Sequence, residues 1–301
     1  MTSHPAMSES NAPRSLPRLP EGAHKGLAGS VLCLCGSPEM PGAAVLCVRA
    51  AQRAGAGLVT LAVFQRDLIT LVANHSPETI FMDLSRTQDL FAGRLPRALV
   101  EGRQHARLVG PGMGSGGRTR ELVRRMVEDE FDGPMVLDAD ALNVLAGSPE
   151  VVMSCKARVV LTPHPGEAAR LLEREVPSDD AGRLDVALEL SERSGAVCVL
   201  KGQNTVVTDG ERTFVNSTGG PAMATAGSGD VLAGIATAYL ARSARLQPEG
   251  FDTFAAVCAA VYAHGRAGDL AAAALGQSGV IASDLIEHLP LAQRELEEAR
   301  S

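Results

Sequence analysis

The sequence predicts an α/β fold in which helices cover both faces of a mostly parallel sheet. Short apolar runs alternate along the chain with segments of helical period, and most of these runs are apolar at nearly every position. Strands of a parallel sheet read this way because helices bury both of their faces. A hydrophobic fraction of 45% with only 3% aromatics, together with 31 glycines, indicates a core of small aliphatic side chains.

Charge and cysteine usage exclude several classes of function. The net charge is −7, and no Lys/Arg cluster with interleaved aromatics occurs, so nucleic acid is not an expected partner. No apolar run approaches the roughly 20 residues of a membrane helix. The 6 cysteines form no CxxC pair, which indicates buried thiols in a reducing compartment, not a disulfide frame or zinc site. We therefore expect a cytoplasmic protein whose phosphate sites are local.

The first 24 residues are predicted to be a disordered tail. Residues 1–20 are rich in Pro, Ser and Asn and lack the apolar core of a signal peptide. No internal repeat or linker follows residue 25. Residues 25–301 are therefore predicted to form a single domain.

In the first half of the chain, apolar runs ending at polar or glycine turns predict strands at 31–36, 58–63, 79–82 and 107–110. The third of these has ambiguous flanks. A helix is predicted at 41–55, because Pro41 suits a first turn and small residues recur up to Gly55. The fourth strand leads into a glycine-rich loop, which is followed by a charged helix at 118–130.

In the second half, apolar runs predict strands at 134–138, 158–162, 197–202, 205–208 and 213–215. Asp209-Gly210 is placed to turn a hairpin into the last of them. Helical spacing predicts helices at 141–146, 166–173, 183–194, 228–242, 251–270 and from 282 onward.

The segment 225–234 holds the strongest candidate for chemistry. Gly227, Ser228 and Gly229 form a tight turn before a buried helix, where free N–H groups and the helix dipole attract an anion such as phosphate. Asp230 is out of place in a static anion site, so we interpret it as a base that takes a proton from an attacking hydroxyl. The alternative is an aspartate that only caps the helix.

The loop 112–117 matches GxGxxG and offers a competing interpretation. It follows a strand, opens a helix, and precedes Asp138 by about 20 residues, as a dinucleotide-binding fingerprint does. However, it does not lie in the first βα unit, and it leaves Asp230 without a role. Whichever ligand binds, glycines at a strand end let it approach the backbone.

Polar residues follow three other strand ends. His164 stands between two prolines that restrict it, which suits a residue held toward a ligand, although a lone His is often structural. Glu167 is either a first-turn helix acid or a residue that holds Mg²⁺ through water. Asp138 and Asp140 either bind metal or cap the next helix.

Lys201, Gly202, Gln203, Asn204 and Thr205 lie in a turn between strands. They form a candidate nucleotide contact, with an ordinary polar turn and a solvated Lys201 as the alternative. The sequence contains no GxxxxGK[ST], which excludes a P-loop.

Five motifs in a fixed order identify a resemblance. They are GPGMG at 110–114, DADALN at 138–143, TPHPGE at 162–167, LKG at 200–202 and MATAGSGDVLAG at 223–234. Together they resemble the ADP- or ATP-dependent NAD(P)H-hydrate dehydratases of the ribokinase-like superfamily, over about residues 25–290. The resemblance implies a ribokinase-like three-layer α/β/α sandwich with a central, mostly parallel sheet.

The resemblance also implies a metabolite-repair lyase. Its substrate is the S epimer of hydrated NADH or NADPH, (S)-NADHX or (S)-NADPHX, in which water has added to the nicotinamide ring. The nucleotide, for which ADP is favoured over ATP, phosphorylates the new hydroxyl, and elimination of phosphate restores NADH or NADPH. Mg²⁺ is the implied metal cofactor.

Site roles follow from the same resemblance. Asp230 matches the base, and Gly227, Ser228 and Gly229 match the anion hole. Contacts to the hydrated dinucleotide are implied for Ala43, Gly114, His164 and Asp230. Contacts to the nucleotide are implied for Lys201, Gly202, Gln203, Asn204, Thr205 and Gly229. Glu167 falls where related kinases organise Mg²⁺ and phosphate, an indirect metal role.

The resemblance further suggests a homotetramer and a functional link to a separate epimerase, because the epimerase domain often fused ahead of such dehydratases is not found in this sequence. Two other functions stay open. One is a ribokinase-like kinase of a small hydroxylated metabolite such as a vitamin precursor, and the other is a catalytically silent nucleotide-binding protein.

Overall fold

A single nine-stranded sheet forms the centre of the protein. The structure, a computed structural model, describes residues 16–90 and 92–298. The strands are β1 (Ser30–Leu34), β2 (Leu58–Val63), β3 (Ile80–Asp83), β4 (Ala106–Val109), β5 (Pro134–Leu137), β6 (Arg158–Leu161), β7 (Val197–Leu200), β8 (Val206–Thr208) and β9 (Thr213–Val215). Their order across the sheet is β3-β2-β1-β4-β5-β6-β7-β8-β9.

Strands β1 to β7 are parallel, whereas at one edge β8 pairs antiparallel with β7 and β9 pairs antiparallel with β8. The carboxyl ends of the parallel strands therefore share one side of the sheet. The strand order reverses between β1 and β4, and in open α/β sheets this reversal opens a ligand crevice outside the carboxyl ends.

The α-helices lie on both faces of the sheet. They are α1 (Pro41–Arg53), α2 (Asp67–Ala73), α3 (Arg97–Val100), α4 (Gly117–Val127), α5 (Asp140–Val144), α6 (Pro165–Leu172), α7 (Asp180–Ser194), α8 (Ser228–Leu246), α9 (Thr253–Leu275) and α10 (Ala282–Glu298). Together with the sheet they make the three layers that the sequence predicts.

Each sheet face contributes to its own apolar core because side chains alternate along a strand. In β1, Val31 and Cys33 join the core beneath α1, α8, α9 and α10. Leu32 and Leu34 point the other way, into the core that includes α4, α6 and α7. This two-sided burial explains why β1 is apolar from Val31 to Leu34.

Close packing against α8 depends on small residues. Every residue from 231 to 243 of this helix is buried. A Cβ at Gly234 would lie 2.4 Å from the carbonyl oxygen of Cys47 and 2.8 Å from the Cβ of Ala50, both in α1. The absence of a side chain at Gly234 therefore sets how closely α1 approaches α8.

All nine predicted strands are confirmed, including the ambiguous one, which is β3. The predicted helices are confirmed with shifts at their ends, of which the longest extends α9 from residue 270 to Leu275. Two short helices were not predicted. α3 spans 4 residues and is too short to show a period, and the apolar run of α2 carries no side-chain N-cap.

Residues 1–15 of the predicted tail and the last three residues of the chain, 299–301, lie outside the described residues. Of the remaining tail positions, Leu16 is buried in the core beneath α1. Arg18 donates a hydrogen bond to the carbonyl oxygen of Glu297. Among the helices of the described chain, none has the length and apolar character needed to cross a membrane.

We expect Gly234→Ala to lower the free energy of unfolding by about 1–3 kcal/mol, the usual effect of overpacking a core. Its methyl group meets backbone and Cβ atoms of α1, which cannot rotate away. The measurement is chemical denaturation of both proteins.

The matched control is Gly42→Ala, since a Cβ at this helical position in α1 meets nothing within 4 Å. That variant should keep its stability or gain up to about 1 kcal/mol. A Gly234→Ala protein as stable as the wild type would contradict the packing account.

Candidate active site

The predicted site residues follow the carboxyl ends of neighbouring parallel strands, as the sequence predicts. The glycine-rich loop follows β4, Asp138 follows β5, His164 follows β6, and Lys201 follows β7. Because these strands are parallel and adjacent, their following residues meet at one edge of the sheet.

A buried ion pair forms the centre of the site. The ammonium Nζ of Lys201 lies 2.6 Å from Oδ1 of Asp138 and 3.7 Å from Oε2 of Glu167. The side chains of Lys201 and Asp138 are only 17% and 2% exposed. The alternative of a solvated Lys201 in a polar turn is therefore wrong.

The protonated state of Lys201 is stabilised by its partners. Burial opposes the ammonium charge, but attraction to Asp138 and then to Glu167 outweighs it and raises the pKa of Lys201. The lysine is thus a fixed positive charge between strand ends, in a protein that is negative overall.

Glu167 and His164 fix each other at the start of α6. Nδ1 of His164 accepts hydrogen bonds from the N–H groups of Gly166 and Glu167, at 3.0 and 3.3 Å. Oε2 of Glu167 in turn accepts from the N–H of His164 at 2.8 Å, which completes a capping box. The His164 side chain is 51% exposed, so its ring can also meet a ligand.

Asp230 lies in the first turn of α8 and does not cap it. The N-cap residue is Gly227, which has φ 87° and makes no side-chain cap. The left-handed φ at Gly227 favours glycine, and a Cβ there would also lie 2.4 Å from Cδ1 of Leu46 and 3.2 Å from the Cβ of Ala282. The alternative interpretation of Asp230 as a simple N-cap is therefore excluded.

The carboxyl group of Asp230 holds its proton more tightly than an ordinary aspartate. Burial raises the pKa of Asp230 to about 6, and repulsion from Asp138 adds to this shift. Lys201 acts in the opposite direction, and Asp140 and Glu167 contribute further repulsion. A carboxylate with a pKa near the working pH is suited to proton transfer.

The anion-binding turn lies beside the buried lysine. A Cβ at Gly229 would stand 3.4 Å from Nζ of Lys201. The backbone at Gly229 and the ammonium group therefore face the same space. A phosphate placed there would meet a helix N-terminus and a positive charge together.

The glycine loop after β4 is connected to the site through Asp140 and α1. The N–H of Gly114 donates to Oδ2 of Asp140 at 2.7 Å. Gly112 has φ 64° and packs closely on Ala43. A Cβ added at Gly112 would lie 2.7 Å from the Cβ of Ala43. Two predicted dinucleotide contacts, Ala43 and Gly114, therefore belong to one surface.

The competing dinucleotide-fingerprint interpretation requires Asp138 as the acidic residue that binds the ribose. Asp138 is nearly completely buried and bonded to Lys201, so it is not free to bind a ribose hydroxyl.

The rest of the predicted nucleotide turn connects β7 to β8. Gly202 has φ 141°, and the Arg183 guanidinium beneath it donates to the carbonyl oxygen of Lys201 at 3.3 Å. Asn204 also adopts a positive φ, 53°, and Thr205 donates to the carbonyl oxygen of Gly202 at 2.8 Å. The tight turn leaves Gly202, Gln203 and Asn204 exposed at the edge of the site.

The described residues contain no cluster of three or more His, Cys, Asp or Glu side chains able to hold a metal ion by themselves. Both carboxylates next to Lys201 are already engaged. Any Mg²⁺ here would be bound mainly by substrate phosphates and water, the mode that this ion prefers, with Glu167 as an indirect partner.

Two groups near Asp230 were missed by sequence reasoning. His264 in α9 has Nε2 3.3 Å from Oγ of Ser228, and burial lowers its pKa to about 4, so its ring is neutral. Cys47 donates from Sγ to the carbonyl oxygen of Asp230 at 3.4 Å, and burial raises its pKa to about 12. In the sequence, His264 is marked only by being a single histidine within an Ala-rich helix.

Comparison with known proteins supports the resemblance. The family model described as NAD(P)H-hydrate dehydratase matches residues 31–291. The bifunctional NAD(P)H-hydrate repair enzyme Nnr of Moorella thermoacetica is 40% identical over 291 residues, which cover 94% of this chain and 52% of that protein. The chain thus spans about half the length of such bifunctional relatives.

Two further proteins match over most of their own length. The ADP-dependent (S)-NAD(P)H-hydrate dehydratase of Neisseria meningitidis serogroup B is 35% identical, over 88% of this chain and 85% of that protein. The ADP/ATP-dependent NAD(P)H-hydrate dehydratase of Bacillus subtilis, co-crystallised with ATP/Mg²⁺, superposes with a TM-score of 0.78 at 29% identity, covering 94% and 95% of the two chains. These likenesses confirm the ribokinase-like α/β/α class.

We expect Asp230→Asn to be more stable than the wild type at pH 8, by about 1–2 kcal/mol. The folded state raises the pKa of Asp230 from 3.8 to about 6. The folded protein therefore binds this proton more tightly than the unfolded chain, and wild-type stability falls as pH rises through this range. The amide cannot ionise and escapes this loss.

The measurement is urea denaturation at several pH values. The advantage of Asp230→Asn should vanish below about pH 4, where the carboxyl is protonated in both states. Asp132→Asn, at an exposed position, removes the same charge and is the control. An advantage that does not depend on pH, or none at pH 8, would contradict the shifted pKa.

Proposed function

We propose that this chain, which belongs to the NAD(P)H-hydrate dehydratase family, converts (S)-NADHX and (S)-NADPHX back to NADH and NADPH at the expense of a nucleotide. The observation that carries the proposal is the partly buried carboxyl of Asp230, which lies in the first turn of α8 and interacts with the Lys201 ammonium.

In the first step, Asp230 accepts the proton of the hydroxyl group on the hydrated ring. The hydroxyl oxygen then attacks the terminal phosphorus of the nucleotide, and the bond from that phosphorus to its bridging oxygen breaks, so that AMP leaves when the nucleotide is ADP and ADP leaves when it is ATP. The raised pKa of Asp230 makes it a stronger base than an exposed aspartate while leaving it ionised at neutral pH.

The turn 227–229 and Lys201 stabilise the charge of the transferred phosphoryl group. Gly229 faces the Lys201 ammonium, and the α8 N-terminus carries no side-chain cap that would occupy its N–H groups. Phosphoryl transfer depends mostly on positioning and on electrostatic stabilisation, and these groups supply both.

In the second step, phosphate leaves the ring carbon and a proton leaves the neighbouring carbon, which restores the dihydropyridine ring. A phosphate is a far better leaving group than hydroxide, which is the chemical reason for spending a nucleotide on a dehydration. We assign Ala43, Gly114 and His164 to hold the dinucleotide during both steps.

Mg²⁺ fits this site as an ion carried by the nucleotide. When bound, it supplies neutralisation of phosphate charge that the chain, with one buried lysine beside several carboxylates, provides only in part. Glu167 is the residue that we assign to it, through water.

We propose ADP as the preferred nucleotide, with the turn 201–205 and Gly229 as its contacts. The Neisseria relative is named as ADP-dependent, and the Bacillus subtilis protein is named as ADP/ATP-dependent. The vitamin-kinase alternative is not favoured, because the relatives with the highest identity are named as hydrate repair enzymes.

Three further assignments stay predictions. A cytoplasmic location agrees with six free cysteines, because oxidising compartments favour disulfides. A functional epimerase partner agrees with the bifunctional naming of several relatives. A homotetramer rests on the resemblance alone.

We expect purified protein, mixed with (S)-NADHX or (S)-NADPHX and ADP or ATP, to recover the near-ultraviolet absorbance of reduced nicotinamide. Asp230→Asn should bind the nucleotide normally but lose about 10²–10⁴ in rate, the usual contribution of a positioned base. The measurements are absorbance for turnover and calorimetry for nucleotide binding.

Asp132→Asn serves again as the matched control and should turn over normally. No recovery of absorbance with either nucleotide would overturn the dehydratase assignment. A stable phosphorylated dinucleotide would indicate a kinase instead. Wild-type turnover by Asp230→Asn would rule out the base.

A further inference from the structure

A cavity of about 140 Å³ lies at the carboxyl ends of β1 and β2 and against the start of α4. It is lined by Leu34, Cys35, Gly36, Ala62, Val63, Phe64, Gln65, Met113, Gly116, Arg118, Thr119 and Leu122. Met113 and Gly116 belong to the candidate loop 112–117, but no residue given a role in the reaction or in nucleotide or dinucleotide binding above is among them.

The position of the cavity marks it as a ligand site. It opens where the strand order reverses at β1, the place where open α/β sheets bind their ligands. The N–H of Gly36 donates to the carbonyl oxygen of Pro111 at 2.7 Å, which joins the end of β1 to the loop after β4. Met113 lines the cavity and precedes Gly114, so the cavity continues the surface that we assign to the dinucleotide.

The chemistry of the lining favours an aromatic anion. Among the lining residues that the structure describes, Arg118 carries the one charge and none is a carboxylate, in a chain of net charge −7. The guanidinium carbon of Arg118 lies 5.9 Å from the centre of the Phe64 ring, so a cation and an aromatic face stand side by side. Gln65 adds an exposed amide at the end of β2.

The size of the cavity selects one end of a dinucleotide. Its volume corresponds to that of several water molecules, so it encloses one part of a bound dinucleotide and not the whole molecule. The hydrated nicotinamide must lie at Asp230, so the adenosine end is the part left to occupy this cavity.

We propose that the cavity binds the adenosine end of the hydrated dinucleotide and that Arg118 pairs with its 2′-phosphate, so that the protein prefers (S)-NADPHX to (S)-NADHX. This inference rests on the proposed function for the identity of the whole ligand. Phe64 offers its ring to the adenine.

The residues that follow β2 support this preference. Proteins that select an unphosphorylated ribose in a sheet of this order place an acid where it can accept from the 2′-hydroxyl, whereas an arginine accommodates a 2′-phosphate. Here Gln65 occupies the end of β2 and Arg118 stands across the cavity. A planar guanidinium also suits bidentate binding of phosphate.

The activity test compares both substrates in two arginine variants. Arg118→Ala should lower kcat/KM for (S)-NADPHX about tenfold, the effect of losing one partly exposed charge-assisted hydrogen bond, and change that for (S)-NADHX by less than about twofold. Arg124→Ala is the matched control, because it removes the same charge from the same helix but pairs with Glu121 and Glu128 instead of lining the cavity. It should leave both values unchanged.

The binding test does not depend on turnover. With ADP saturating the nucleotide site, calorimetry should show NADP⁺ binding about tenfold more tightly than NAD⁺ to the wild type, and equally to Arg118→Ala. Gln65→Glu should weaken NADP⁺ and strengthen NAD⁺, since the new carboxylate repels phosphate and accepts from a free hydroxyl.

The outcomes separate this inference from the proposed function. A protein without dehydratase activity that still shows the Arg118-dependent preference for NADP⁺ retains the phosphate site and loses only the reaction. An active dehydratase with equal affinity for NADP⁺ and NAD⁺, or with equal losses for both substrates in Arg118→Ala, would overturn the inference.

Discussion

The ion pair between Lys201 and Asp138 is the interaction on which the rest of the site depends. Two nearly buried charges are costly to desolvate, and their pairing at 2.6 Å offsets that cost only because the strand ends hold them in place. The parallel sheet supplies this rigidity, since β5, β6 and β7 deliver Asp138, Glu167 and Lys201 to one edge. The geometry of the site therefore follows directly from the geometry of the sheet.

One ammonium group does not neutralise the carboxylates around it. Burial first, and then repulsion from Asp138, Asp140 and Glu167, disfavours a negative charge on Asp230. Asp230 is therefore the group here that can take up a proton, while the neutral His264 ring and the Cys47 thiol add no charge nearby. The ionised Asp230 lowers the stability of the folded protein at neutral pH but provides a base, a compromise that is common at functional sites.

Sequence reasoning located the fold and the strand-end residues because both follow from local pattern. Continuous apolar runs gave the nine strands, and polar residues directly after them identified Asp138, His164 and Lys201. The sequence does not show which of these side chains contact one another. Whether Lys201 was solvated or buried, and whether Asp230 capped its helix, depends on contacts between segments far apart in the chain. His264 and the cavity at Arg118 also arise only from tertiary packing.

The most direct test of this account is a ¹³C NMR titration of the aspartate carboxyl carbons in the free protein. The signal of Asp230 is identified by its loss in Asp230→Asn. The account predicts that this signal titrates with a midpoint near 6, because burial and the neighbouring carboxylates hold the proton. A midpoint near that of an ordinary aspartate, about 4, would contradict it.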